Sequence, residues 1–159
     1  LQYALDYPEE VKGLVLMTVA MRSKKRGPDA LNMRLAADKS PEAYQTWLEY
    51  QRHAMMFVDP DLRERLMECH EKVGPISQHD DLVVIDKFDV TDRIGDLKAP
   101  LVLIRGVDDP GAPPEYELEI HEAVPGSKYV KLSGAGHFPM AEKPEEVNRA
   151  IEELQARVG

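Results

Sequence analysis

The sequence has one cysteine, few aromatic residues and no apolar run approaching the ~20 residues needed to span a bilayer. The single cysteine, Cys69, excludes an internal disulfide and leaves no Cys-x-x-Cys metal spacing, so a reducing, cytoplasmic setting is expected. Basic residues are in deficit: 20 Lys and Arg against 29 Asp and Glu give a net charge of -9, which argues against nucleic acid as a partner. The one basic cluster, Arg22-Ser23-Lys24-Lys25-Arg26, reads as a solvated loop, because four charges are too few to outweigh the acidic whole. Internal repeats and low-complexity segments are absent. No membrane partner is expected either.

What is present is the balance of a globular chain, 43% hydrophobic and 31% charged over 159 residues. That is long enough to bury a moderate core. Leu1–Tyr7 reads as a helix stopped by Pro8, with Leu1, Ala4 and Leu5 on one face. It has no Ser, Thr or Asp cap and no turn residues before it, so an upstream segment is expected to be missing. Val11–Met17 is a nearly continuous apolar run, the pattern of a strand buried on both faces of a parallel sheet. Leu101-Val102-Leu103-Ile104, entered from Pro100 and ended by Gly106, is a second. Lys128–Leu132 mixes charged and apolar residues, as a strand near a sheet edge does. Pro113-Pro114 opens a helix whose stripe is Tyr116, Ile120, Ala123 and Val124, and Pro125-Gly126 ends it. Pro144 opens the last, with Val147, Ala150, Ile151, Leu154 and Val158 at helical spacing. Strand and helix in alternation imply parallel crossovers and an α/β fold.

Residues 22–87 break that alternation. They read as two or three helices, from Ser40-Pro41 to about Met56 and from Asp59-Pro60 to about Val73, with Gly74-Pro75 after it. A helical block between parallel strands is an insertion, and insertions at strand ends are usually lids. The expected division is a core helix and strand over 1–21, a helical cap over 22–87 and the remaining core over 88–159.

Two loops follow strands and carry chemistry. Arg105-Gly106-Val107-Asp108-Asp109-Pro110 follows the second strand, and Ser133-Gly134-Ala135-Gly136-His137-Phe138-Pro139 the third. Carboxyl ends of parallel strands line the ligand crevice, so an acid and a histidine could meet there. A carboxylate beside imidazole fixes its tautomer and stabilises the imidazolium. From the residues alone, His137 could equally be a structural histidine and the Asp108-Asp109-Pro110 stretch only a turn. Trp47, His53, Met55, Met56 and Phe57 could line a cap pocket or pack its interior. Cys69-His70 is read as a buried structural cysteine and its neighbour, since adjacent positions on a helix do not face each other. His79-Asp80-Asp81 lacks a third ligand, so no metal site is expected, and Gly134-Ala135-Gly136 is not a phosphate loop. No cofactor is expected.

The order of features resembles the C-terminal half of the α/β-hydrolase family. The pieces are Tyr7-Pro8-Glu9-Glu10-Val11 running into Gly13–Met17, a helical cap, Asp89–Ile104, Gly106-Val107-Asp108-Asp109, Gly136-His137 and Ala141-Glu142-Lys143-Pro144-Glu145. The resemblance covers nearly all of the chain outside the cap. It implies about three parallel strands with flanking helices plus a helical cap insertion, and a nucleophile–acid–histidine order. Asp109 matches the family's acid, with Asp108 in reserve, and His137 matches the general base. The departure is the nucleophile: no Gly-x-Ser-x-Gly occurs, and the five serines (Ser23, Ser40, Ser77, Ser127 and Ser133) lie in loops or at a helix start. By the resemblance the elbow belongs just before a helix like Leu1–Tyr7, hence upstream.

The implied parent is a serine-type, cofactor-free hydrolase of an ester, amide or related small acyl substrate, this chain alone being inactive. The cap and Phe88–Ile94 look most like proline iminopeptidases and carbon–carbon bond hydrolases. Trp47, Met55, Met56, Phe57 and Phe138 are candidates for a substrate pocket. An Asp nucleophile would mean epoxide or halide chemistry instead, and a non-catalytic remnant or binding module is the reading from another class. Expected partners are the small acyl substrate and, along strand 11–17, either the missing N-terminal segment or a second copy.

Overall fold

The computed structural model describes residues 1–23 and 28–159; Lys24, Lys25 and Arg26 of the basic cluster lie outside the described residues. In chain order the elements are α1 (Gln2–Asp6), β1 (Leu14–Met17), α2 (Pro28–Ala37), α3 (Pro41–Ala54), α4 (Pro60–Ile85), a 3-10 turn (Ile94–Asp96), β2 (Leu101–Gly106), α5 (Glu115–Ala123), β3 (Lys128–Leu132), α6 (Pro139–Glu142) and α7 (Pro144–Val158). They form two compact units, Leu1–Met21 with Val90–Gly159, and Arg22–Asp89.

The first unit is built on a parallel sheet in the order β1-β2-β3. The apolar run of β2 is explained by its position: all six residues are buried, on both faces. Val102 and Ile104 face α7 and pack with Leu132, Ala135, Val147, Ala150 and Leu154. Burying a side chain such as Leu154 contributes about 1.5–3 kcal/mol, and the 3–4 residue spacing of α7 brings Val147, Ala150 and Leu154 onto one side. On the opposite face Arg105 meets Glu117 of α5, beside the fully buried Ile120. The strand continues through Arg105, past the expected apolar end at Ile104.

β1 begins at Leu14 rather than Val11; Lys12 is exposed, and Gly13 sits against Leu154, where a Cβ would come within 3.2 Å of that side chain. The Leu14 N–H donates to the Pro100 carbonyl at 2.9 Å, on the β2 side. By the two-residue alternation of a strand, the N–H groups of Val15 and Met17 point the other way. No strand among the described residues pairs with that edge.

The second unit is helical. Ser40 caps α3 by accepting the Ala43 N–H at 3.1 Å, and Asp59 caps α4 through the N–H groups of Asp61 and Leu62. The expected stop at Gly74-Pro75 is present as a kink that divides α4 into two helices, the first ending before Gly74. Gly74 takes φ +79, which glycine adopts readily, and helix resumes at once to Ile85, because proline is well suited to a first helical turn. Trp47 and Met55 have no exposed surface and form interior, with Trp47 Nε1 donating to Gln78 Oε1 at 3.2 Å; Met56 and Phe57 are exposed. Cys69 is also exposed, correcting the expectation of burial: Met67 turns that helix's apolar side inward and leaves Cys69 on its wet side.

Candidate active site

The strand ends bring two loops together. After Gly106 the chain turns through Val107 and Asp108, whose N–H groups donate to the carbonyls of Leu132 (3.0 Å), the last residue of β3, and Ala135 (3.0 Å), in the loop that follows. This approach requires glycine at 106: a Cβ there would lie 2.1 Å from the Gly136 carbonyl oxygen and 2.5 Å from that of Ala135. Asp108 ties the loops a third time, its carboxylate accepting the Gly134 N–H at 2.9 Å. Gly134 itself needs its small size differently, since it takes φ +69.

Asp109, not Asp108, contacts the histidine. Its Oδ2 lies 2.9 Å from His137 Nδ1. Its Oδ1 accepts the N–H groups of Gly111 at 2.7 Å and Ala112 at 3.2 Å, as an Asx turn does. The Asp109 side chain is wholly buried, whereas the His137 side chain is 36% exposed. Its second ring nitrogen, Nε2, has no hydrogen-bonding partner among the described residues. Phe138 stands edge-on to the imidazole at 5.4 Å. A cavity of about 500 Å³ borders the acid loop, lined in part by Arg105, Val107, Asp109, Leu118, Tyr129 and Lys131.

The electrostatics follow from these contacts. Burial pushes the Asp109 carboxyl up, but the hydrogen bonds from His137, Gly111 and Ala112 outweigh it and hold the group below its ordinary value of 3.8. The hydrogen bond to Asp109 raises His137 above 6.5, against burial and with help from the charges of Asp109, Glu142 and Glu117. The signs fix a window. The raised His137 contributes stability that is complete below pH 6.5 and is lost as pH rises through its folded pKa. The lowered Asp109 contributes stability present above 3.8 and lost as pH falls through its folded pKa. The ion pair is therefore fully formed between those two ordinary values. An NMR titration of the ring carbons should place the His137 midpoint above 6.5; a midpoint at or below that value would mean the contact does not persist in solution.

Four residues here escaped sequence reasoning. Arg105 is 5% exposed and donates through Nη1 to Glu117 (3.0 Å) and through Nη2 to the Ala112 carbonyl (2.7 Å). Burial pushes the Glu117 carboxyl up, with Arg105 opposing. Glu142 accepts backbone N–H groups of the histidine loop. Thr18, just past β1, has φ +50, a backbone that β-branched residues rarely adopt, and its hydroxyl is 3.5 Å from the His137 carbonyl. The only sequence signals were a charge inside an apolar strand, an acid inside an apolar helix stripe and an acid five residues after the histidine.

No family model matches the chain. A thermophilic esterase from Thermogutta terrifontis superposes with a TM-score of 0.80 at 25% identity, over 98% of this chain and 60% of that one. The enol-lactonase of Burkholderia xenovorans LB400 gives 0.75 at 18% identity, over 97% and 60%. The BpoC protein of Mycobacterium tuberculosis, which bears the name of a non-heme bromoperoxidase, is 36% identical over 62 residues, 39% of this chain and 24% of the relative. The chain thus spans 60% of the length of each of the two solved structures and matches 24% of BpoC.

Proposed function

We propose that this chain, which has the fold of the C-terminal part of an α/β-hydrolase, supplies the acid and the general base of a hydrolytic triad acting on an ester or related small acyl substrate. The observation that carries the reading is the 2.9 Å contact of Asp109 with His137 Nδ1, which leaves Nε2 open. With Nδ1–H directed at a carboxylate, Nε2 is the unprotonated nitrogen and can take a proton from a nucleophile. Asp109 then holds the tautomer and stabilises the imidazolium. Likeness to an esterase favours ester over epoxide or halide chemistry.

The nucleophile comes from a polypeptide segment outside this chain. None of the described serines donates to His137. The Thr18 hydroxyl faces the backbone carbonyl of His137. The natural seat for that segment is the open edge of β1, where Val15 and Met17 present unpaired N–H groups beside a groove lined by Gly13, Val15, Ile151, Leu154 and Val158. In its absence a second copy can take the same edge. Light scattering at micromolar concentration should therefore report self-association of the isolated chain, weakened by Val15→Pro, which removes one edge donor. A monodisperse monomer would sink the edge proposal.

The chemistry is tested with p-nitrophenyl acetate and a fluorophosphonate probe. The isolated chain should neither hydrolyse the ester above buffer nor take the label, since losing the nucleophile of such a triad costs several orders of magnitude. The longer polypeptide that includes this chain should do both, with the label outside residues 1–159. Hydrolysis by the isolated chain that disappears in His137→Ala would reveal a nucleophile within it. A longer polypeptide inert to both would count against acyl chemistry.

A further inference from the structure

The loop that carries His137 has two backbone N–H groups flanking the histidine, those of Gly136 and Phe138. Both are directed at one side chain. Glu142 Oε2 accepts from Gly136 N at 2.5 Å, and Glu142 Oε1 accepts from Phe138 N at 3.3 Å. Neither N–H has another acceptor among the described residues. Gly136 is buried, so its N–H cannot turn to water instead. Glu142 ends the single turn of α6, for which Phe138 is the N-cap, and the carbonyl of Phe138 accepts back from the N–H groups of Ala141 and Glu142 at 2.9 and 3.0 Å. Residues 136–142 thus form a ring of hydrogen bonds closed by one carboxylate, with the imidazole projecting from its middle.

We propose that Glu142 is a positioning residue for His137, clamping the backbone on both sides of it so that the ring meets Asp109. This rests on reading Asp109 and His137 as an acid–base pair. A carboxylate suits the task because it offers an acceptor oxygen to each N–H; a carboxamide offers one and turns its own NH2 toward the other. The group is half-buried, and burial raises its pKa against the pull of the two amides. Its charge is also among those that favour the protonated ring of His137.

The test uses amide exchange of Gly136 and Phe138 in the 159-residue chain, with the nitrogen-bound ring proton of His137 Nδ1 as a second signal. In Glu142→Ala both amides should exchange roughly ten- to a hundredfold faster, the loss of a hydrogen bond to a charged acceptor, and the Nδ1 proton signal should broaden or vanish. In Glu142→Gln one amide should stay protected while the other is released. Unchanged exchange at both amides in both variants would overturn the proposal. So would faster amides with an unaltered Nδ1 proton, for the loop would then loosen without moving the ring. If circular dichroism finds Glu142→Ala unfolded, Glu142→Gln decides: two protected amides overturn the clamp, and one supports it. A missing Nδ1 proton signal in the unmodified chain would overturn the acid–base pairing itself, and the positioning role with it.

Discussion

If the proposed triad is completed by a longer polypeptide, replacing Asp109 by Asn in that polypeptide should lower its turnover about ten-thousandfold while leaving the fold intact. Asn can still accept the Gly111 and Ala112 N–H groups through its carbonyl oxygen, as Asp109 Oδ1 does at 2.7 and 3.2 Å. What changes is the atom facing His137. An amide NH2 donates, so Nδ1 must become the acceptor and Nε2 must carry the proton, which leaves nothing to take a proton from the nucleophile. The same substitution removes the hydrogen bond and charge that hold His137 above 6.5, and burial then lowers the ring's pKa. Activity on p-nitrophenyl esters and the NMR midpoint of His137 should therefore fall together. A loss of turnover smaller than tenfold would reassign Asp109 to loop structure alone. An active parent indifferent to both Asp109→Asn and His137→Ala would leave this unit a non-catalytic module.

The framework was legible because its elements are punctuated. Proline opens α3, α4 and α7, Gly106 ends β2, and the two-faced burial of β2 is written in its unbroken apolar run. The position of Asp109 followed from the family resemblance, and the geometry agrees on which of two adjacent acids makes the contact. Local signals misled where tertiary context overrode them. Gly74-Pro75 does stop the first helix of α4, but the further helix that starts at Pro75 was not read from the sequence, since proline is as good at a first turn as after a last one. Cys69 was placed inside because cysteine is among the most often buried residue types, but the face it occupies is set by the packing of α4, which buries Met67 instead. Glu142 looked like one more acid near the start of the last helix. Its contacts depend on the turn of α6, four residues that carry no periodic pattern.

Arg105 and Glu117 illustrate the same limit most sharply, and they carry the second large effect. Glu117 has no exposed surface and Arg105 has 5%, so each neutralises a charge that water cannot reach. Removing one partner leaves the other buried and alone, which typically costs about 3–5 kcal/mol. Arg105→Met and Glu117→Leu should each lose stability on that scale in urea denaturation. The two losses should differ in pH dependence. Burial holds the Glu117 carboxyl above its ordinary 4.5, so Arg105→Met can be partly relieved by protonating Glu117, and its deficit should shrink in acid. Glu117→Leu strands a guanidinium that no accessible pH discharges. The double variant should recover much of the loss, because a well-packed apolar pair of similar volume can match a buried ion pair. It should still impair the site, since Arg105 Nη2 also holds the Ala112 carbonyl at 2.7 Å, and the N–H of Ala112 is one of the donors to Asp109 Oδ1. Stability restored with a disturbed His137 titration would identify Arg105 as the brace of the acid loop. Single variants that lose less than about 1 kcal/mol would mean the pair is wet in solution, and the burial argument for both residues would fail.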